Sequence, residues 1–164
     1  MNEPHTPALL LTVTSRFARL AKREGGKSAA EALQAAESFI ESQQEKYFGW
    51  VTADLERLNK LLTLLDADPA SDKASEAAYR KAVHIRDLGS SFGHAIITEV
   101  ADSLCELLYR FRMNRIYNHE AVAAHRAALK LVCTLQFSTM PAEAGLTLQD
   151  GLRKVVARYP KVED

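Results

Sequence analysis

From Ser28 onward, apolar residues recur at intervals of three and four, the spacing that lines one face of an α-helix, and no convincing alternation marks a strand. One stretch opens at SAAE, Ser28–Glu31. There the serine oxygen can accept from the backbone while the glutamate reaches back, and the pattern runs on to about Gln44. The next, KYFGWVTADLERLNKLLTLLDADP, sets Trp50, Val51, Asp54, Leu55, Leu58, Leu61, Leu62 and Leu65 on recurring turns and stops at Pro69. A loop through Ser71 and Asp72 follows. A helix is expected from about Lys73 to Phe92, closed by Gly93 as a left-handed cap. Another should run from about Ala95 to Arg112, with Val100, Leu104, Leu107, Leu108 and Phe111 on one stripe. Asn118 offers a cap for the next, which reaches about Gln136. A last helix is expected to start at Thr147 and to end before Pro160.

Ahead of Gly25-Gly26, Leu9, Leu10, Val13, Phe17 and Leu20 share an apolar stripe ringed by Arg16, Arg19, Lys22 and Arg23. It reads either as a helix packed on the rest of the domain or as a docking or dimerisation helix, the latter allowing a homodimer. The pattern as a whole predicts an all-α chain, most simply an antiparallel four-helix bundle with additional N-terminal helices. Residues 1–45 would form the N-terminal helical extension packed on the bundle, 46–159 the bundle and 160–164 a C-terminal tail.

Charge and composition narrow the classes. The chain has 164 residues, with 21 Lys plus Arg against 21 Asp plus Glu. That balance gives no general attraction to nucleic acid or to an anionic membrane. No apolar run approaches the roughly 20 residues a spanning helix needs. PALLLTV near the start lacks a basic lead and a small-residue cleavage site, so no secretory signal is expected. Cys105 and Cys133 sit among leucines and valines, which favours buried free thiols and a reducing, cytoplasmic setting over a disulfide.

Familiar chemistry is sparse. No glycine-rich loop follows a strand, no two histidines have the i,i+4 spacing of a helical zinc site, and no metal site is expected. Neither cysteine leaves its apolar stripe, and no serine or cysteine triad is visible, so hydrolases and oxidoreductases gain no support. His119 and His125 are six apart and face differently. His125, beside Ala124 and Ala128, reads as a satisfied surface or half-buried histidine.

The segment that asks for a reason is KAVHIRDLGSSFGHAIITEVADSLCELL, Lys81–Leu108. Glycine inside a helix costs about 1 kcal/mol relative to alanine, yet Gly89 and Gly93 stand beside Ser90 and Ser91. With Ile85, Leu88 and Phe92 inward, Val83, Arg86, Asp87 and Ser90 group outward and His84 falls near the edge of that face. The small residues either let a partner dock closely or let another helix of the same domain come near.

This segment resembles the histidine-containing phosphotransfer (HPt) domains of bacterial phosphorelays, especially small stand-alone alphaproteobacterial ones. Their YxxWVxxDLxxL-like run is matched by YFGWVTADLERL at Tyr47–Leu58. Their phosphoacceptor segment, approximately A-H-D-I-K-G-Q-G-G-S-F-G followed by LITEIADSLCRLL, is matched at Ser91–Gly93 and Thr98–Leu108. The likeness covers roughly Tyr47 to Tyr159. It implies a helical bundle in two-component signalling, with a response-regulator receiver domain or a histidine kinase as partner. It implies no cofactor, since magnesium would belong to the receiver. In such domains a neutral imidazole takes a phosphoryl group from an aspartyl phosphate, beside a lysine that offsets its charge.

Aligned on Ser91–Gly93, however, Val83 takes the place of the phosphoacceptor histidine, Arg86 that of the lysine, Asp87 and Ser90 those of glycines. His84 is displaced by one residue, about 100° around the helix. Three readings follow: a degenerate module that binds a receiver or kinase without carrying phosphate; an active phosphotransfer protein using His84 (or, less readily, His94); and a helical scaffold or oligomerisation protein outside phosphorelays.

Overall fold

The structure, a computed structural model, describes residues 28–134 and 141–162; at residues 40, 41, 44 and 45 it describes the backbone alone. The expectations for His5, for the Leu9–Leu20 stripe and for a helix end at Gln136 lie outside the described residues. Among those residues there are five α-helices and no strand: α1 (Ala29–Ala67), α2 (Asp72–Ser91), α3 (Ala95–Asn114), α4 (His119–Thr134) and α5 (Ala142–Val156). The chain is all-α. None of these helices is long and apolar enough to cross a membrane.

The chain divides into two compact units, residues 1–41 and 42–164, and α1 runs through the division. The two apolar stretches that the sequence separates near Gln44 are thus one helix. Between them lies no proline, and the one glycine of α1, Gly49 within the second stretch, is absorbed at a cost of about 1 kcal/mol. In the first unit the capping box forms as expected. Ser28 N–H donates to Glu31 Oε2 at 2.7 Å, and Glu31 N–H donates to Ser28 Oγ at 3.2 Å.

In the second unit α1 buries Tyr47, Val51, Leu55, Leu58, Leu62 and Leu65, residues three or four apart on one stripe. Ser71 Oγ accepts Ala74 N–H and starts α2. α2 then runs back along α1: Lys81 and His84 meet Asp54, and the Phe92 ring lies 4.5 Å from that of Tyr47. Gly93, at φ +73°, ends α2 in a backbone conformation that glycine adopts freely.

α3 returns along α2, placing Asp102 beside Arg86, Tyr109 beside Tyr79 and Arg112 beside Glu76. Gly89 is what brings these two helices together. A Cβ there would stand 2.8 Å from Thr98 Oγ1 and 3.1 Å from the Thr98 nitrogen, while its carbonyl accepts His94 N–H at 2.8 Å. At this position the small residue serves the chain's own packing.

Asn118 Oδ1 accepts Ala121 N–H at 2.9 Å and caps α4, as its sequence suggested. Tyr117, His119 and Arg126 converge on the Asp66 carboxylate, so α4 starts where α1 stops. α5 departs from expectation: it begins at Ala142, five residues before Thr147. Pro141, at φ −57°, presets the first turn, and Thr147 Oγ donates back to the Glu143 carbonyl from inside the helix instead of capping it. Buried Arg110 ties α3 to the chain after α5, donating to the Val156 and Tyr159 carbonyls at 3.2 and 2.8 Å.

Candidate site on helix α2

α2 carries Val83, His84, Arg86, Asp87 and Ser90, while His94, the other candidate phosphoacceptor, starts α3. Its buried stripe is Ala78, Ala82, Ile85 and Gly89, turned from the Ile85–Leu88–Phe92 stripe that the sequence suggested. Gly89 is drawn in by the close approach of α3, and Leu88 and Phe92 become half-buried flanks. The same turn packs Val83 partly against the core and leaves His84, Asp87 and Ser90 exposed. The His84 side chain, 56 % accessible, therefore stands out more than Val83 does.

Behind His84 lies a carboxylate that the helical periodicity sets on the apolar stripe of α1. Asp54, on α1, keeps only 5 % of its side chain accessible. Its Oδ1 accepts from Lys81 Nζ at 2.9 Å and from Arg57 Nη1 at 3.1 Å, and its Oδ2 lies 3.0 Å from His84 Nε2. Burial pushes the Asp54 carboxyl up, but the bonds from Lys81 and Arg57 and the nearby imidazole outweigh it and hold the group below the usual carboxylate range. An ionised carboxylate oxygen offers only lone pairs, so the nitrogen against it carries the proton. In neutral His84 the free lone pair accordingly sits on Nδ1.

The other candidates sit toward α3. Arg86 spends its guanidinium on two carboxylates, Asp87 at 3.0 Å and Asp102 at 3.2 Å. It is one-third accessible, whereas both acids are well exposed. These two hydrogen-bonded acids hold the Arg86 pKa above its ordinary value. The structure thus brings Arg86 and Asp87 together, keeps Ser90 as a small exposed neighbour, and sends His84 to the opposite flank with Asp54 and Lys81.

The remaining histidines among the described residues are structural in different ways. His94 starts α3, its ring stacked 4.7 Å from Tyr47, and burial lowers its pKa. His119 Nδ1 lies 2.8 Å from Asp66. His125 is a correction: it is fully buried, neither at the surface nor half-buried, though it is satisfied as expected. Its Nδ1 bonds the Ala121 carbonyl at 2.8 Å and its Nε2 meets Ser103 Oγ at 3.0 Å, a pairing that positions 22 residues apart gave no reason to expect. Cys105 and Cys133 are free thiols, both pushed up to about 12 by burial, and neither is a ready nucleophile. No group of three or more metal-ligating side chains gathers among the described residues. Compared with protein-family models, with curated proteins and with solved structures, the chain matches none.

Proposed function

We propose that this chain is an HPt-like signalling module, with an antiparallel four-helix bundle within residues 46–159, that docks a receiver or histidine-kinase domain without carrying phosphate. The observation that carries this reading is the state of the two cations flanking His84. Lys81 is bonded to Asp54, and Arg86 is bonded to Asp87 and Asp102. A phosphoryl group arriving on α2 needs a cation to offset its charge. Here both cations already face carboxylates, and the exposed Asp87 and Asp102 repel the incoming group. Val83, in the histidine's register, offers no nucleophile.

The docking surface is the exposed strip of α2, with Arg86, Asp87 and Ser90 on one flank and His84 on the other, the half-buried Val83 between them. A partner carboxylate reaches Arg86 by exchanging with Asp87 or Asp102, a trade of like for like that favours reversible association.

A second reading has its own observation. His84 is exposed, held by a buried carboxylate, and keeps its lone pair on Nδ1. An active module would then phosphorylate at Nδ1.

Both are tested by offering the full chain a phosphorylated receiver domain, with wild type and His84→Ala side by side, and measuring label and complex formation. Receiver binding without label supports the docking module. Acid-labile label lost in His84→Ala supports the second reading. Neither label nor binding overturns both and leaves a helical scaffold.

A further inference from the structure

The pairing of Ser103 with His125 has the parts of an activated hydroxyl. A backbone carbonyl only accepts, so the 2.8 Å contact to Ala121 fixes the proton of neutral His125 on Nδ1. Nε2 is then the acceptor, and the Ser103 hydroxyl donates to it across 3.0 Å. Nucleophile, base and an orienting group behind the base are all in hydrogen-bond reach, each from a packed helix. His125 is wholly buried, and its burial lowers its pKa, so near pH 7 it is neutral, with the Nε2 lone pair facing Ser103.

Ser103 also opens outward. It lines a groove of about 780 Å³ between α3 and α5, a size typical of small-molecule sites. Leu152 and Val156 give the groove an apolar floor, and Arg153 stands on the wall opposite α3. We propose that Ser103 is a nucleophilic serine, with His125 as its base, that takes the acyl group of small esters entering this groove. The groove adjoins the α2 docking surface through Asp102, which lines it and pairs with Arg86, but the chemistry proposed does not rest on that docking.

The step balances. Ser103 Oγ bonds the acyl carbon as its proton passes to His125 Nε2. The bond from the acyl carbon to the alcohol oxygen breaks, and that alcohol takes the proton back from His125. Water then attacks the acyl-serine by the same route, His125 again accepting and returning the proton, so ester and water give acid and alcohol. The orienting group is a carbonyl, which stabilises an imidazolium less than a carboxylate does. The second step is therefore slow, and the acyl-serine accumulates.

The test treats the full chain with p-nitrophenyl butyrate and follows p-nitrophenolate release beside intact mass and peptide mapping. The expected result is a burst approaching one equivalent, a slow steady phase, and a butyryl group on Ser103. The burst rate should fall as pH drops and His125 is protonated. Ser103→Ala should remove burst and adduct while circular dichroism stays helical. A fluorophosphonate probe on the wild type gives a readout that needs no variant, and it should map to Ser103. No burst and no adduct, a label on any other residue, or a burst that survives in Ser103→Ala overturns the proposal.

Discussion

Removing the Asp54 carboxylate tests whether the α1–α2 face is built around it. Three contacts to the carboxylate are lost in Asp54→Ala, and they differ in weight. Arg57 is 66 % accessible, so its bond contributes roughly 0–1 kcal/mol. Lys81 is only 22 % accessible and its bond is 2.9 Å, which places it near 1.5–3 kcal/mol for a hydrogen bond between charged groups. The exposed His84 imidazole adds little. Asp54→Ala should therefore cost about 2–4 kcal/mol, and Asp54→Asn, which keeps a neutral acceptor, about half of that. At about 4 °C per kcal/mol for a unit of this size, the alanine variant should melt roughly 8–16 °C lower.

Urea unfolding followed by circular dichroism measures the loss, and a double-mutant cycle with Lys81→Met isolates the pair. The expected coupling is at least about 1 kcal/mol. Ring-nitrogen NMR adds a second readout: His84 should hold its proton on Nε2 in the wild type and distribute it between both nitrogens in Asp54→Ala. A loss below about 0.5 kcal/mol with zero coupling to Lys81 would refute the reasoning, because a solvated carboxylate organises nothing.

Three further outcomes follow from the same geometry. Gly89→Ala should destabilise by about 1–2 kcal/mol despite the better helix propensity of alanine, because the new Cβ meets Thr98 Oγ1 at 2.8 Å; unchanged urea stability would mean that α3 yields freely there. Acid should weaken the fold in two windows. His125 and His94 have folded pKa values below 6.5, so unfolded chains bind protons first and stability falls as pH drops below about 6.5; Asp54 and Asp66 are also depressed and withdraw their share below about 3.8. A stability curve flat from pH 7 to pH 5 would contradict the burial of the histidines. Arg86→Glu, which sets a third carboxylate beside Asp87 and Asp102, should abolish receiver binding with the helical spectrum intact; undiminished binding in a pull-down would move the docking surface elsewhere.

What the sequence made legible was local. The capping box at Ser28–Glu31, the Asn118 cap and the Gly93 stop each need only neighbours within a few residues, and each formed as the spacing implied. The start of α5 was misplaced because Thr147 meets a cap's composition, while Pro141 and the carbonyl of Glu143 decide where the helix begins. The rotation of α2 was beyond local reasoning for a similar cause: Gly89 looks neutral on a helical wheel and becomes buried only because Thr98 presses on it from α3. Site chemistry followed the same division. His84 could be read from its own helix, but its orientation depends on Asp54, 30 positions upstream on α1. The one available signal was a carboxylate standing among Val51, Leu55 and Leu58 on an apolar stripe. A charge in that position is rarely left unpaired, so asking which cation or imidazole comes to meet it would have led to Lys81 and His84. The Ser103–His125 pair left no such trace, since a serine on a helix flank and a histidine among alanines are each ordinary. Only the packing of α3 against α4 turns them into one unit, and the groove beside α5 gives that unit an opening.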